Sequence, residues 1–171
     1  MEIKLRTCAL RYWRRGDEAS LVRHADNYQI WRSLRDRFPH PYTSNDARKW
    51  IEHTLAEDPP LNLAITINHE AVGGIGIIPG SDIHHRSAEI GYWLGEAYWG
   101  RGIVTEAVKA ASQWAFENYD LNRLWAGVFE YNAASARVLV KAGFKFEARL
   151  RGAATKEGRT LDELLYALVR E

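Results

Sequence analysis

The chain has 171 residues, 46% of them apolar, and its 23 basic and 22 acidic residues leave a formal net charge of +1. That excludes a disordered chain, suits a single domain over residues 1–171, and gives no nucleic-acid or membrane-surface footprint. The lone Cys8 excludes an intrachain disulfide and a cysteine-rich zinc site; with no signal-peptide core in Met1–Trp13 and no run long enough to span a bilayer, a soluble cytoplasmic protein is expected.

Ile3–Trp13 alternates Leu5, Thr7 and Ala9 and predicts a strand. Gly16-Asp17 stops it, and Asp17 is placed to cap a helix running to Ala25. Gln29–Arg37 has helical spacing and ends before Pro39 and Pro41. Thr43 with Asp46 reads as a capping box opening a helix through Trp50, Ile51 and Leu55. Leu61–Ile67 and Ala71–Ile78 are β-branched runs joined by Asn68-His69-Glu70, a hairpin. A polar loop leads to a strand at Ala88–Leu94, then to the glycine-punctuated loop Gly95–Gly102. Thr105–Asn118 carries Ala107, Val108, Ala111, Trp114 and Ala115 on one helical stripe. A strand at Arg123–Phe129, a helix at Ala133–Ala142 stopped by Gly143, and strands at Phe144–Leu150 and Leu161–Val169 complete a mixed α/β domain on one central sheet.

The chemistry concentrates in Trp99-Gly100-Arg101-Gly102-Ile103-Val104-Thr105, between a strand and a helix. Two glycines one residue apart let the backbone bend sharply and approach a ligand. The helix behind them offers unpaired N–H groups and its positive dipole end, an anion site suited to a pyrophosphate. Arg101 can add a charge beside a phosphate. The turn lacks both the Rossmann glycine fingerprint and the Gly-Lys-Ser/Thr of a P-loop.

Three blocks, in order, resemble the GNAT acetyltransferase superfamily and its RimJ/RimL-like ribosomal-protein N-terminal acetyltransferase branch. They are Glu89-Ile90-Gly91-Tyr92-Trp93-Leu94, the glycine turn with Thr105-Glu106-Ala107, and Asn132-Ala133-Ala134-Ser135 followed by Lys141-Ala142-Gly143-Phe144. Against the superfamily pattern Gln/Arg-x-x-Gly-x-Gly/Ala, Gly102 is kept while Trp99 and Val104 depart. The resemblance implies a mostly antiparallel central sheet of about seven strands, splayed between the fourth and fifth, with about four flanking helices. It implies acetyl-coenzyme A as cofactor, its pantetheine arm lying in the splay beside Trp93 and Leu94. The N–H of Leu94 would polarise the thioester carbonyl, and Asn132 would bond the arm from the other side. A monomer or homodimer is expected.

The reaction implied is direct attack of an amine on the thioester. An α-amine of pKa ~7.7–8.0 is roughly 10–20% neutral at pH 7, whereas a lysine is neutral about once in a few thousand, so a protein N-terminus needs only modest help. Glu89 is the candidate base, with a loop histidine, His84 or His85, as the alternative base and a salt-bridged or solvated glutamate as the plainer reading of Glu89. Many relatives in the superfamily carry an acidic tyrosine seven residues after the motif asparagine; here that position is Leu139. Ser135 is the candidate proton donor to the departing sulfur, or a helix cap, or both. Phe38, Tyr42, Trp93 and Trp99 are candidates to wall the acceptor site, and His84 to touch the acceptor. His84 and His85 lack metal-ligand spacing. The acceptor is read as a protein or peptide α-amine, with a small amine or a non-catalytic acyl-coenzyme A-binding module as rivals.

Overall fold

The computed structural model describes residues 1–171. Its strands are β1 (Glu2–Lys4), β2 (Ala9–Tyr12), β3 (Asn62–Ile67), β4 (Glu70–Pro79), β5 (Ser87–Leu94), β6 (Arg123–Phe129), β7 (Lys145–Lys156) and β8 (Arg159–Val169). Its helices are α1 (Glu18–Ala25), α2 (Tyr28–Trp31), α3 (Ser44–Leu55), α4 (Ile103–Asn118) and α5 (Ala133–Lys141). The sheet has eight strands in the order β1-β2-β3-β4-β5-β6-β8-β7. Pairing is antiparallel between β1 and β2, β2 and β3, β3 and β4, β6 and β8, and β7 and β8; β5 and β6 run parallel. The chain divides into two compact units, Met1–Gly76 with Tyr92–Ala107, and Ile77–Gly91 with Val108–Glu171. No helix is long and apolar enough to cross a membrane.

In the first unit, the strand expected at Ile3–Trp13 is two strands. The chain reverses between Lys4 and Ala9, so that Ile3 pairs with Leu10. Glu106 accounts for this reversal: its carboxylate accepts the N–H of Arg6 at 2.8 Å and of Thr7 at 3.1 Å, and the Thr7 hydroxyl as well. Asp17 stands at the N-cap of α1 but makes no side-chain cap bond. Its carboxylate instead faces Arg11, with both guanidinium nitrogens at 2.8 Å, and accepts the N–H of Arg14 at 3.1 Å. The helix expected at Gln29–Arg37 shortens to four residues, after which i to i+3 bonds such as Leu34 N–H to Trp31 and Phe38 N–H to Arg35 fold the chain into turns. Those turns leave Trp31 stacked on His40 at 5.3 Å and bring Phe38 to 5.2 Å from Tyr42. The capping box of Thr43 and Asp46 is present at the head of α3. The β3–β4 hairpin closes through Asn68 and His69, with φ of 49° and 69°, the left-handed pair a two-residue turn requires. α1 and α3 bury Leu21, Ala25, Ala47 and Ile51 against Trp13, Tyr42, Ala64 and Ala71.

In the second unit, α5 ends in a Schellman motif. Phe144 N–H reaches the Leu139 carbonyl at 3.0 Å and Gly143 N–H reaches Val140 at 3.1 Å, with Gly143 at φ 96°. The last two strands are longer than expected, and the polar connection between them shrinks to Glu157-Gly158. The extra length of β7 is accommodated by a bulge between Leu150 and Ala154, where Gly152 N–H bonds Asp162 Oδ1 at 2.8 Å.

The clasp between Glu106 and Thr7 has a pH signature. Hydrogen bonds from the Thr7 hydroxyl, then from the backbone of Arg6 and Thr7, hold the Glu106 carboxyl below the ordinary glutamate range. A lowered folded pKa stabilises above the unfolded value of ~4.3 and is lost as pH falls through the folded one. Glu106→Gln should therefore lower the melting temperature near neutrality, and the gap to the parent should narrow as acidification takes the pH below the ordinary glutamate range. A gap that is constant across this range in thermal scans would refute the assignment.

Candidate functional site

The glycine turn lies in the first unit. Gly100 and Gly102 have φ of 74° and 75°, and a side chain at either would meet no atom within 4 Å, so both backbones face open space. The first bond of α4 runs from Glu106 N–H to the Gly102 carbonyl at 3.2 Å. The N–H groups of Gly102, Ile103, Val104 and Thr105 therefore precede the helical ladder, and those of Gly100 and Arg101 have no acceptor in the protein. Six amides stand together at the positive end of a helix of 16 residues. This arrangement fits a pyrophosphate, which needs donors and close approach rather than side-chain charge. Arg101 bends back: its Nη2 donates to the Ala97 carbonyl at 2.9 Å and its guanidinium sits 5.6 Å from the Tyr98 ring centre. Trp99 is 46% exposed, and its Nε1 donates to the Leu94 carbonyl at 2.8 Å, tying the turn to the end of β5.

Leu94 is buried, and Gly95 N–H continues onto Val72 at 2.7 Å. Trp93 lies over β4 where that strand has Gly73 and Gly74. A side chain at 74 would come within 2.9 Å of Trp93 Nε1 and 3.2 Å of Trp13. Phe38 meets Trp93 edge-on at 5.8 Å. The structure thus brings Phe38, Tyr42 and Trp93 into one aromatic cluster. Tyr42 is a core member of it, 5% exposed, and burial raises its hydroxyl pKa. The glycines of β4 were a readable signal for this close packing that the strand assignment passed over.

In the second unit, Glu89 pairs in register with Trp125 and is half-buried. Parallel pairing covers Ser87–Glu89 with Arg123–Trp125; beyond it, Ala126–Phe129 pair with β8. Asn132, not Ser135, caps α5: its side-chain oxygen accepts the Ser135 N–H at 3.3 Å. The serine hydroxyl is therefore not the cap, because Ser135 sits three residues inside the cap position and contributes its amide. Leu139 is fully buried and faces the core. His84 closes an exposed single turn of 3-10 helix, Asp82–His84, ahead of β5.

Sequence reasoning gave no role to two carboxylates, one in each unit. Glu106 fastens the head of α4 in the first unit, and in the second Glu163 on β8 lies over Gly127 of β6. Neither has a local signature, since each meets its neighbour only through tertiary pairing. A separate concavity around Arg14, Asp17, Arg23 and Glu70 holds none of the candidate residues, and its two carboxylates are already paired with Arg11, Arg14, Arg23 and His24.

Residues 8–145 match the family described as "Acetyltransferase (GNAT) domain". An uncharacterized N-acetyltransferase, p20, of Bacillus licheniformis is 35% identical over 89 residues, covering 52% of this chain and 50% of the relative. The ribosomal-protein-serine acetyltransferase of Escherichia coli is 32% identical over 97 residues, covering 56% and 54%. The chain spans about half the length of curated relatives it matches. In three dimensions it is similar to RimL, an alpha-N-protein acetyltransferase, in complex with coenzyme A. The TM-score is 0.87 over 99% of this chain and 98% of that one, at 23% identity, which bears on the fold alone. With the family match spanning most of its length, the chain belongs to the GNAT acetyltransferase domain family.

Proposed function

We propose that this chain is an acetyl-coenzyme A-dependent N-acetyltransferase acting on the α-amine of a protein or peptide. One observation carries the reading: the run of amides from Gly100 to Thr105, without protein acceptors, at the head of α4. Acetyl-coenzyme A, when bound, supplies a thioester open to attack by an amine. In this reading the amides of Gly100–Thr105 hold its pyrophosphate, the Nδ2 of Asn132 and the backbone of Trp93 and Leu94 hold its arm, and the N–H of Leu94 polarises the acyl oxygen. Glu89 draws a proton from the incoming ammonium through water. Ser135 keeps a hydroxyl proton beside the sulfur, a task Leu139 is unable to perform. Phe38 and Trp93 wall the acceptor side. The α-amine is favoured because it needs little help to lose its proton, and because similar proteins are named for acetylating ribosomal proteins.

A thiol-release assay with acetyl-coenzyme A, run against peptides of varied first residue and a panel of polyamines, amino sugars and amino acids, tests the reading. Peptides should turn over best. Turnover confined to small amines would replace the acceptor assignment, and uptake of coenzyme A without any transfer would leave an acyl-coenzyme A-binding module. In the same assay Glu89→Gln should lower kcat by about 10²-fold or more near pH 7, with unchanged cofactor affinity. The loss should shrink at high pH, where the amine deprotonates unaided. A variant whose pH–rate profile overlays the parent removes Glu89 from the reaction.

A further inference from the structure

Of the acidic side chains at Glu130, on β7 and on β8, all but one are paired. Arg123 grips Glu147 at 2.8 and 2.6 Å, and Arg149 bridges Asp162 at 2.7 Å and Glu130 at 2.8 Å. Glu163 differs, having no hydrogen bond or ion pair from its side chain. It is half-buried, and its carboxylate occupies the space that a side chain at Gly127 of β6 would fill. A Cβ at 127 would collide with a carboxylate oxygen and come within 2.8 Å of Cδ and 3.2 Å of Cγ. Position 127 thus has to be glycine for Glu163 to lie where it does.

Register fixes which face this is. Glu163 pairs with Phe129, Leu165 with Gly127, and Glu89 with Trp125. Because side chains alternate along strands, Glu89, Trp125, Gly127, Phe129, Glu163 and Leu165 share one face of the sheet. Gly127 is two residues from Trp125, so the carboxylate of Glu163 overlies β6 about 7 Å along the strand from the position beside Glu89. It also overlies the stretch of β6 past the last pair with β5. Two unfavourable features coincide here: a half-buried carboxylate without a cation, and a glycine within a strand. Neither supports the fold, and a cationic ligand accounts for both.

We infer that Glu163 is the seat of the acceptor's ammonium group, so that the acceptor is captured as a cation beside Glu89 before it loses a proton. The inference rests on the acetyltransferase reading above. Glu163 and Glu89 divide the work: Glu163 holds the charged amine, and Glu89 takes its proton. A carboxylate favours the charged amine, so removing Glu163 weakens capture without making proton loss harder.

Glu163→Gln should raise the KM for an N-terminal seryl peptide by about tenfold or more, as expected for a lost charge-assisted hydrogen bond. It should leave kcat within about threefold and the affinity for coenzyme A unchanged. Gly127→Ala, which displaces the carboxylate without removing it, should reproduce the KM effect. Calorimetry supplies a readout apart from turnover. The parent should bind the seryl peptide in preference to its N-formylated form, and Glu163→Gln should lose that preference. A KM within twofold of the parent in Glu163→Gln, with acetyl transfer intact, overturns the inference and leaves the acetyltransferase reading standing. A fall in kcat with a shifted pH profile overturns it too, since Glu163 would then be a base. Failure of the folded parent to take up coenzyme A overturns the underlying reading instead.

Discussion

Asp17→Ala should destabilise the protein by about 3–5 kcal/mol, the range for breaking a buried ion pair from one side. The Asp17 and Arg11 side chains are 5% and 10% exposed, and the two meet in a bidentate pair. Arg11 also donates to the Tyr12 carbonyl at 3.0 Å and to the His69 carbonyl at 3.3 Å, so the pair links β2, the start of α1 and the β3–β4 turn. Removing the carboxylate strands the guanidinium among groups that offer no compensating charge. For a chain of this size the melting temperature should fall by roughly 10 °C. The double variant Arg11→Met with Asp17→Leu should recover much of the loss, because the penalty comes from the orphaned charge rather than from the missing attraction. A single-variant loss below about 1 kcal/mol in denaturant titration would refute this account.

Gly102→Val should cost roughly five- to thirtyfold in coenzyme A affinity, read by calorimetry, the scale set by about 1–2 kcal/mol of left-handed backbone strain that the bound turn imposes on an L-residue. A β-branched side chain resists the φ of 75° found there and projects into the open space before the helix amides. Gly16 provides the control, because its φ is 98° and a side chain there would likewise meet no atom within 4 Å. Gly16→Val should lower stability comparably and leave affinity untouched. Equal affinity in Gly102→Val and the parent would remove the turn from the binding site.

Local signals were enough for most elements. The capping box, the β3–β4 turn and the Gly143 stop each act through bonds within a few residues; the first and last stand where the sequence placed them, and the turn is Asn68-His69, with Glu70 already in the strand. The errors share a cause as well. Ile3–Trp13 alternates like one strand, but a carboxylate about a hundred positions away in sequence, that of Glu106, bends it into two. Asp17 has the residue type and position of a cap, but a buried arginine outcompetes the helix amides for its oxygens. Gln29–Arg37 has helical spacing, yet the helix stops at Trp31, whose ring stacks on His40 as the chain folds back in turns. The glycine turn was legible because backbone geometry writes itself into glycines. Glu163 was not, because its significance depends on Gly127 lying across a strand pair that no local pattern reveals.

The cap on α5 also limits what Asn132 has to offer. One lone pair of its oxygen is committed to the Ser135 amide, while its nitrogen carries no helix duty and would meet a lone pair on a guest seated there. An aspartate at 132 would keep the helix start and lose that hand-hold, so the scaffold and recognition duties of one side chain are separable by exchanging a single amide for a carboxylate.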